Sequence, residues 1–246
     1  MPVFFSDLDG TLLDHHSYSW EAARPGLEAA AAQGCPVILV SSKTRAEMEP
    51  LHRAMGLAAH PYISENGGAI HLPDGSAIRL GAPYQELTEA LARAAVRSGA
   101  RLRGFSRMTV DEVAGRTGLP LEIARLAHQR EHDEPFVIES GSAEAVARAI
   151  RELGYEHTEG GRFHHILRGS DKARAVEILK ARYPGERTVG LGDGWNDAGF
   201  LAVCGRAWLI PSKHTAALRE KLAAARVASQ PGPAGWAGAV LEELRG

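Results

Sequence analysis

The chain has 246 residues, 28 Lys and Arg against 30 Asp and Glu, a formal net charge of −2 and 44% hydrophobic residues, which is an ordinary globular balance without the basic excess of a nucleic-acid binder. No apolar run reaches the ~18 residues of a membrane span, and a strand from residue 3 leaves no room for a signal peptide. Two cysteines, Cys35 and Cys204, make no disulfide framework, so the expectation is a cytoplasmic protein with no membrane or nucleic-acid partner.

Residues 3–5 read as a short buried strand that runs into Ser6-Asp7-Leu8-Asp9-Gly10-Thr11. Residues 20–33 are Ala-rich and read as a helix stopped by Gly34, and 36–40 are a second apolar strand, ending on Ser41-Ser42-Lys43-Thr44. A helix follows over 45–55, stopped by Gly56. Residues 62–64 and 69–72 flank Glu65-Asn66-Gly67-Gly68, a hairpin signal. The middle reads as helices over 83–98, 119–130 and 143–153, a strand over 135–139, and a hairpin of 155–158 with 162–167. The first pattern then returns: helix 171–182, strand 187–191 ending on Gly192-Asp193-Gly194-Trp195-Asn196-Asp197, helix 198–203, strand 207–210, helix 216–224, a turn over 230–235 and a last helix over 236–244.

Apolar strands alternating with helices imply an α/β protein, a Rossmann-like doubly wound parallel sheet with helices on both faces. Residues 1–81 and 171–246 are expected to form this core, and 82–170 an inserted α+β cap. Ligands bind outside the carboxyl ends of the strands of such a sheet. The polar clusters at four strand ends therefore converge on one site. Converging aspartates repel one another, and a hard cation with oxygen ligands, Mg²⁺, resolves that. One carboxylate can then attack a phosphoryl group, and another two residues away can protonate the leaving oxygen and later activate water. Ser41 and backbone amides near Ser42 supply donors to the phosphoryl, and Lys172 a positive charge.

Asp7-Leu8-Asp9-Gly10-Thr11 resembles the first motif of haloacid-dehalogenase-type phosphatases, Ser41 the second, Lys172 the third, and Gly192 to Asp197 the fourth, all in order. Residues 41–47, 64–68, 108–112, 117–120 and the stretch from Gln129 to Phe136 extend the resemblance to the mannosyl-3-phosphoglycerate phosphatases over nearly the whole chain. The resemblance implies Mg²⁺-dependent hydrolysis of mannosyl-3-phosphoglycerate or glucosyl-3-phosphoglycerate, a small phosphorylated glycoside, by a monomer or homodimer. It implies Asp7 as nucleophile and Asp9 as acid and base. Asp7, Asp9 and Asp193 would hold the metal, with Asn196 and Asp197 orienting its ligands. Ser41 and Lys172 would hold the phosphoryl group. Expected substrate contacts are Gly10, Ser42, Lys43, Glu65, Asn66 and Gly67 on the core and Arg103, Arg130, Glu131, Arg162 and His165 on the cap, where arginines suit a carboxylate and carboxylates suit hydroxyls. The alternatives are a phosphatase of another small sugar phosphate, such as a hexose or sucrose phosphate, and a non-enzymatic phospho-acceptor on the same fold.

Overall fold

The computed structural model describes residues 1–160 and 163–246. Its chain order opens with β1 (Pro2–Ser6), α1 (Arg24–Ala32), β2 (Val37–Val40), α2 (Arg45–Ala54), β3 (Tyr62–Ser64), β4 (Ala69–His71) and β5 (Ala77–Arg79). Then come α3 (Tyr84–Ser98), β6 (Arg101–Gly104), α4 (Val110–Thr117), α5 (Leu121–Ala127), β7 (Glu134–Ser140), α6 (Ala143–Glu152), β8 (Glu156–Gly160) and β9 (Phe163–Leu167). The last part holds α7 (Lys172–Lys180), β10 (Arg187–Gly192), α8 (Ala198–Val203), β11 (Arg206–Leu209), α9 (Thr215–Lys221), β12 (Arg226–Val227) and α10 (Gly232–Arg245).

The fold is α/β. Eight strands form one sheet in the order β12-β11-β10-β1-β2-β3-β4-β5, parallel from β12 to β3, with β4 and β5 antiparallel at the edge. The central strands are apolar throughout because both faces are covered. Phe4, Val37 and Leu39 pack with Leu27 of α1 and Trp236 of α10 on one face. Val3, Phe5, Ile38 and Val40 pack with Val176 of α7 and Phe200 of α8 on the other.

A second, four-stranded antiparallel sheet has the order β6-β7-β9-β8. Leu87, Leu91 and Ile150 of α3 and α6 bury its Phe136 and Ile166. On its other side Phe105, Val137 and Phe163 meet Val113 of α4 and Ala124 of α5. This layer touches the large sheet's side through α5, where the Thr44 hydroxyl donates to the Leu126 carbonyl at 3.0 Å.

Several elements differ from the sequence reading. The first helix is a 3₁₀ turn, Glu21–Ala23, followed by α1, because Pro25 lacks a backbone donor and fits only a first turn. The Asn66-Gly67 hairpin signal does join antiparallel strands, but through a 3₁₀ turn in which Glu65, Asn66 and Gly67 have φ of 47°, 57° and 93°. The helix expected over 119–130 spans only Leu121–Ala127. The last helix starts at Gly232, inside the expected turn, with Pro233 in its first turn. Strands β5, β6 and β12 have no apolar run to betray them. Helix α4 carries a legible signal, the reciprocal cap between Thr109 and Glu112.

Candidate active site

The carboxyl end of β1 is fixed from behind. Trp236 Nε1 donates to Ser6 Oγ at 2.8 Å, and Ser6 Oγ donates to the Asp7 carbonyl at 2.7 Å. The strand therefore delivers Asp7 at a defined point, buried, with its carboxylate toward the end of β10. Lys172, the first residue of α7, reaches the same point. Its Nζ lies 2.8 Å from Asp7 Oδ1 and 2.8 Å from Asp197 Oδ1. Burial pulls this ammonium's pKa down, but Asp197 and Asp7 more than reverse it, and Lys172 is held charged with its pKa above the ordinary value.

Oxygens of Asp7, Asp193 and Asp197 lie within 4.8 Å of one another. Burial first, and Asp197 next, push Asp7 well above the usual carboxylate range against the pull of Lys172. The same two causes push Asp193 up to about 7. Asp197 is engaged on both oxygens, by Lys172 on one and by the backbone N–H groups of Asp193 and Gly194 on the other, at 3.1 and 2.9 Å. It orients the loop and the lysine. Asp7 and Asp193 face the cavity, with Thr11 donating to Asp193 at 3.2 Å. An all-oxygen set whose charges resist ionisation is what a hard divalent cation relieves, so these residues fit Mg²⁺.

Gly10 makes the approach possible. Its φ is +80°, and a Cβ there would lie 2.8 Å from Asp193 Oδ2. The Gly10→Ala variant is expected to lose about 1–3 kcal/mol of stability and to need more Mg²⁺ for half-maximal activity, checked by thermal melts and metal titration. A variant that matches wild type in both would show that the aspartate does not need this approach.

A cavity of about 780 Å³ opens in front of the aspartates, between the ends of the parallel strands and the second sheet. Asp7, Asp9, Ser42, Lys43, Asn66 and Asn196 line its floor, and Phe105, Leu119, Arg130, Phe163 and His165 its roof. Lys43, nearly buried, pairs with Asp9 at 3.0 Å and lies 3.8 Å from Glu47. Ser41 is fully buried behind the wall, where its Oγ accepts from the Lys43 N–H at 3.1 Å. Thr44 caps α2, with Glu47 returning to its backbone.

The other expected contacts fall elsewhere. The Glu65 carboxylate is fully buried and accepts from the backbone N–H groups of Glu131 and His132 at 3.0 and 2.7 Å. Burial pushes it up to about 7 in spite of Arg130. Glu65, Gly67 and Glu131 therefore belong to the junction between the two sheets, and none of them lines the cavity. Gly67 is required there, since a Cβ would lie 2.3 Å from the Asp171 carbonyl oxygen. Arg103 also lies outside the cavity, paired with Glu112 and Glu139. Arg162 is outside the described residues.

Asp133 lies in the charged stretch from Gln129 to Phe136, where the sequence offers it only as one of several carboxylates suited to sugar hydroxyls. It is 0% exposed, accepts from Asn66 Nδ2 at 3.2 Å, and contacts His165 Nδ1 at 2.9 Å and Arg130 at 3.5 Å. Burial raises the pKa of this carboxylate, but His165 and Arg130 hold it below the ordinary value. Arg130 also donates to the Ser42 carbonyl at 2.9 Å, so most of its capacity is spent joining the two layers. The sequence reading missed Tyr18, Lys213 and His214, which stand on the cavity wall. Lys213 and His214 follow β11, and the strand-end rule that located the aspartates would have found them.

Residues 4–96 match the family of haloacid dehalogenase-like hydrolases. The fold agrees: a phosphatase of that superfamily from Bacteroides thetaiotaomicron superposes with a TM-score of 0.72 at 20% identity, covering 100% of this chain and 95% of that one. Two relatives align almost end to end. A glucosyl-3-phosphoglycerate/mannosyl-3-phosphoglycerate phosphatase of Persephonella marina is 36% identical, over 95% of this chain and 94% of its own. One of the same name from Methanococcoides burtonii is 33% identical, over 98% and 96%. The chain belongs to this phosphatase family within the haloacid dehalogenase-like hydrolases.

Proposed function

We propose that the chain hydrolyses glucosyl-3-phosphoglycerate and mannosyl-3-phosphoglycerate to phosphate and the glycosylglycerate. The observation that carries this reading is the buried Asp7 carboxylate at the cavity floor, clamped by Lys172 and grouped with Asp193 and Asp197. Relatives of that name matching through both sheets supply the substrate class.

Asp7 attacks phosphorus, and the bond from phosphorus to the glycerate oxygen breaks. Asp9 delivers its proton to that oxygen. Asp9 then takes a proton from water, whose oxygen attacks phosphorus and breaks the bond to Asp7, returning the nucleophile and phosphate. Lys43, now on Asp9, is drawn to the incoming anionic substrate, which frees Asp9 to carry a proton. Lys172 pulls Asp7 toward its ionised form, against burial and Asp197. Asp7, Asp193 and the Asp9 backbone carbonyl would hold Mg²⁺, which supplies positive charge against the transferring phosphoryl. Residues 82–170 act as a cap over a core of 1–81 and 171–246. Arg130 and His165, set by Asp133, face the leaving group from it.

Phosphate release from both glycosyl-3-phosphoglycerates, 3-phosphoglycerate and several hexose phosphates tests the reading. The two glycosides are expected to lead by about a hundredfold in kcat/KM, which is ~3 kcal/mol of transition-state binding. Asp9→Asn is expected to lower kcat by about 10²–10⁴-fold. Hexose phosphates turning over as well as the glycosides would leave only the phosphatase chemistry standing, and no release from any monoester would favour a phospho-acceptor.

A further inference from the structure

The hairpin of β8 and β9 at the edge of the second sheet carries a cluster the phosphatase reading does not use. Glu159 pairs directly across with His164, and His157 lies two residues before Glu159, so the three share one face of the ladder. His157 Nε2 is 3.1 Å from His164 Nδ1, and His164 Nδ1 is 3.5 Å from Glu159 Oε1. One ligand atom from each lies within 4.8 Å of the others. Zinc bonds of 2.0–2.1 Å in a tetrahedral site place neighbouring ligand atoms about 3.3 Å apart, which the two spacings straddle.

We propose that His157, Glu159 and His164 form a binding site for a borderline divalent transition metal of the Zn²⁺ class, with a fourth position open to water. Two imidazoles and a carboxylate suit that class, whereas the all-oxygen aspartate cluster suits Mg²⁺, so donor chemistry keeps the two metals apart. Phe136 packs beside the His164 ring, 5.5 Å between centroids, and fixes it on the hairpin. On binding, the ring proton now shared by the two imidazoles moves to the outer nitrogen of its own ring, and both inner nitrogens turn their lone pairs to the metal. The site ties β8 to β9 where the hairpin's Thr158 and Glu159 border the cavity.

The test uses tag-free full-length protein in saturating Mg²⁺, titrated with Zn²⁺ by calorimetry and with Co²⁺ by visible absorption. The expected result is one event with Kd below about 10 μM and the intense bands of four-coordinate Co²⁺. Both are weakened at least tenfold in His157→Gln and in His164→Gln and kept in Asp193→Asn. Either histidine variant that folds suffices. Binding unchanged by these histidine variants, or lost only in Asp193→Asn, overturns the proposal.

Discussion

Replacing Asp7 with asparagine lowers kcat by about 10⁴-fold or more on every phosphomonoester tested, while the protein stays folded. The amide is too weak a nucleophile to form the phosphorus bond. The fold survives because Asp7 is a charge the interior resists. Burial and Asp197 hold its pKa well above the usual range, so a neutral isostere removes a strained ion. Asparagine Oδ1 can still accept from Lys172, which keeps Asp197 as its second partner at 2.8 Å. In EDTA the melting temperature of Asp7→Asn therefore equals or exceeds that of wild type, while Mg²⁺ stabilises the variant less. Steady-state kinetics with thermal melts in EDTA and in Mg²⁺ check both parts. Activity within tenfold of wild type would remove Asp7 from the nucleophile's role.

Lys172→Met inverts that pattern. The lysine side chain is 3% exposed and bridges two carboxylates, so its loss leaves Asp7 and Asp197 facing each other without a cation. Stability falls by about 3 kcal/mol or more at neutral pH, and kcat by about 10³-fold. The pH dependence has a definite sign. Asp7 is raised above its ordinary 3.8 even with the lysine present, and losing the lysine raises it further. A carboxyl with a raised folded pKa stabilises the protein while protonated and loses that contribution as pH climbs from about 4 through its folded value. The deficit against wild type in EDTA is therefore small near pH 4 and grows toward pH 8, and Mg²⁺ reduces it. Denaturant melts across that range check the sign. A deficit constant with pH would mean that Lys172 contributes only packing.

The candidate catalytic residues were legible because their rule is local. An apolar strand that ends on Asp7 and Asp9, or on Asp193 and Asp197, cannot bury those charges along its length and must present them at its end. Parallel strands put all such ends on one side. Thr44 and Thr109 each have a Glu three residues on, a local cap signal that the sequence reading left unused. The contacts of the insert were not legible in that way. Arg103, Arg130 and Glu131 all read as groups for a sugar or a carboxylate. One is taken by Glu112 and Glu139, one by Asp133 and the Ser42 carbonyl, and the third gives its backbone N–H to Glu65. An arginine's residue type does not say which anion it meets. That depends on partners up to 88 positions away, as for Arg130 and Ser42.

The sequence by itself determined the doubly wound class, the order of the four polar motifs and the side of the sheet on which they meet. Each follows from hydrophobic period and from the cost of burying a charge, and both act within a few residues. Only the tertiary structure decided which of the aspartates faces the cavity and which holds the lysine, and that Glu65 belongs to the junction. It also showed that Asp133, hidden in a charged stretch, sets His165 and Arg130 on the cavity's roof. These depend on the meeting of two layers far apart in the chain, where burial and pairing distances of about 3 Å fix a side chain's role.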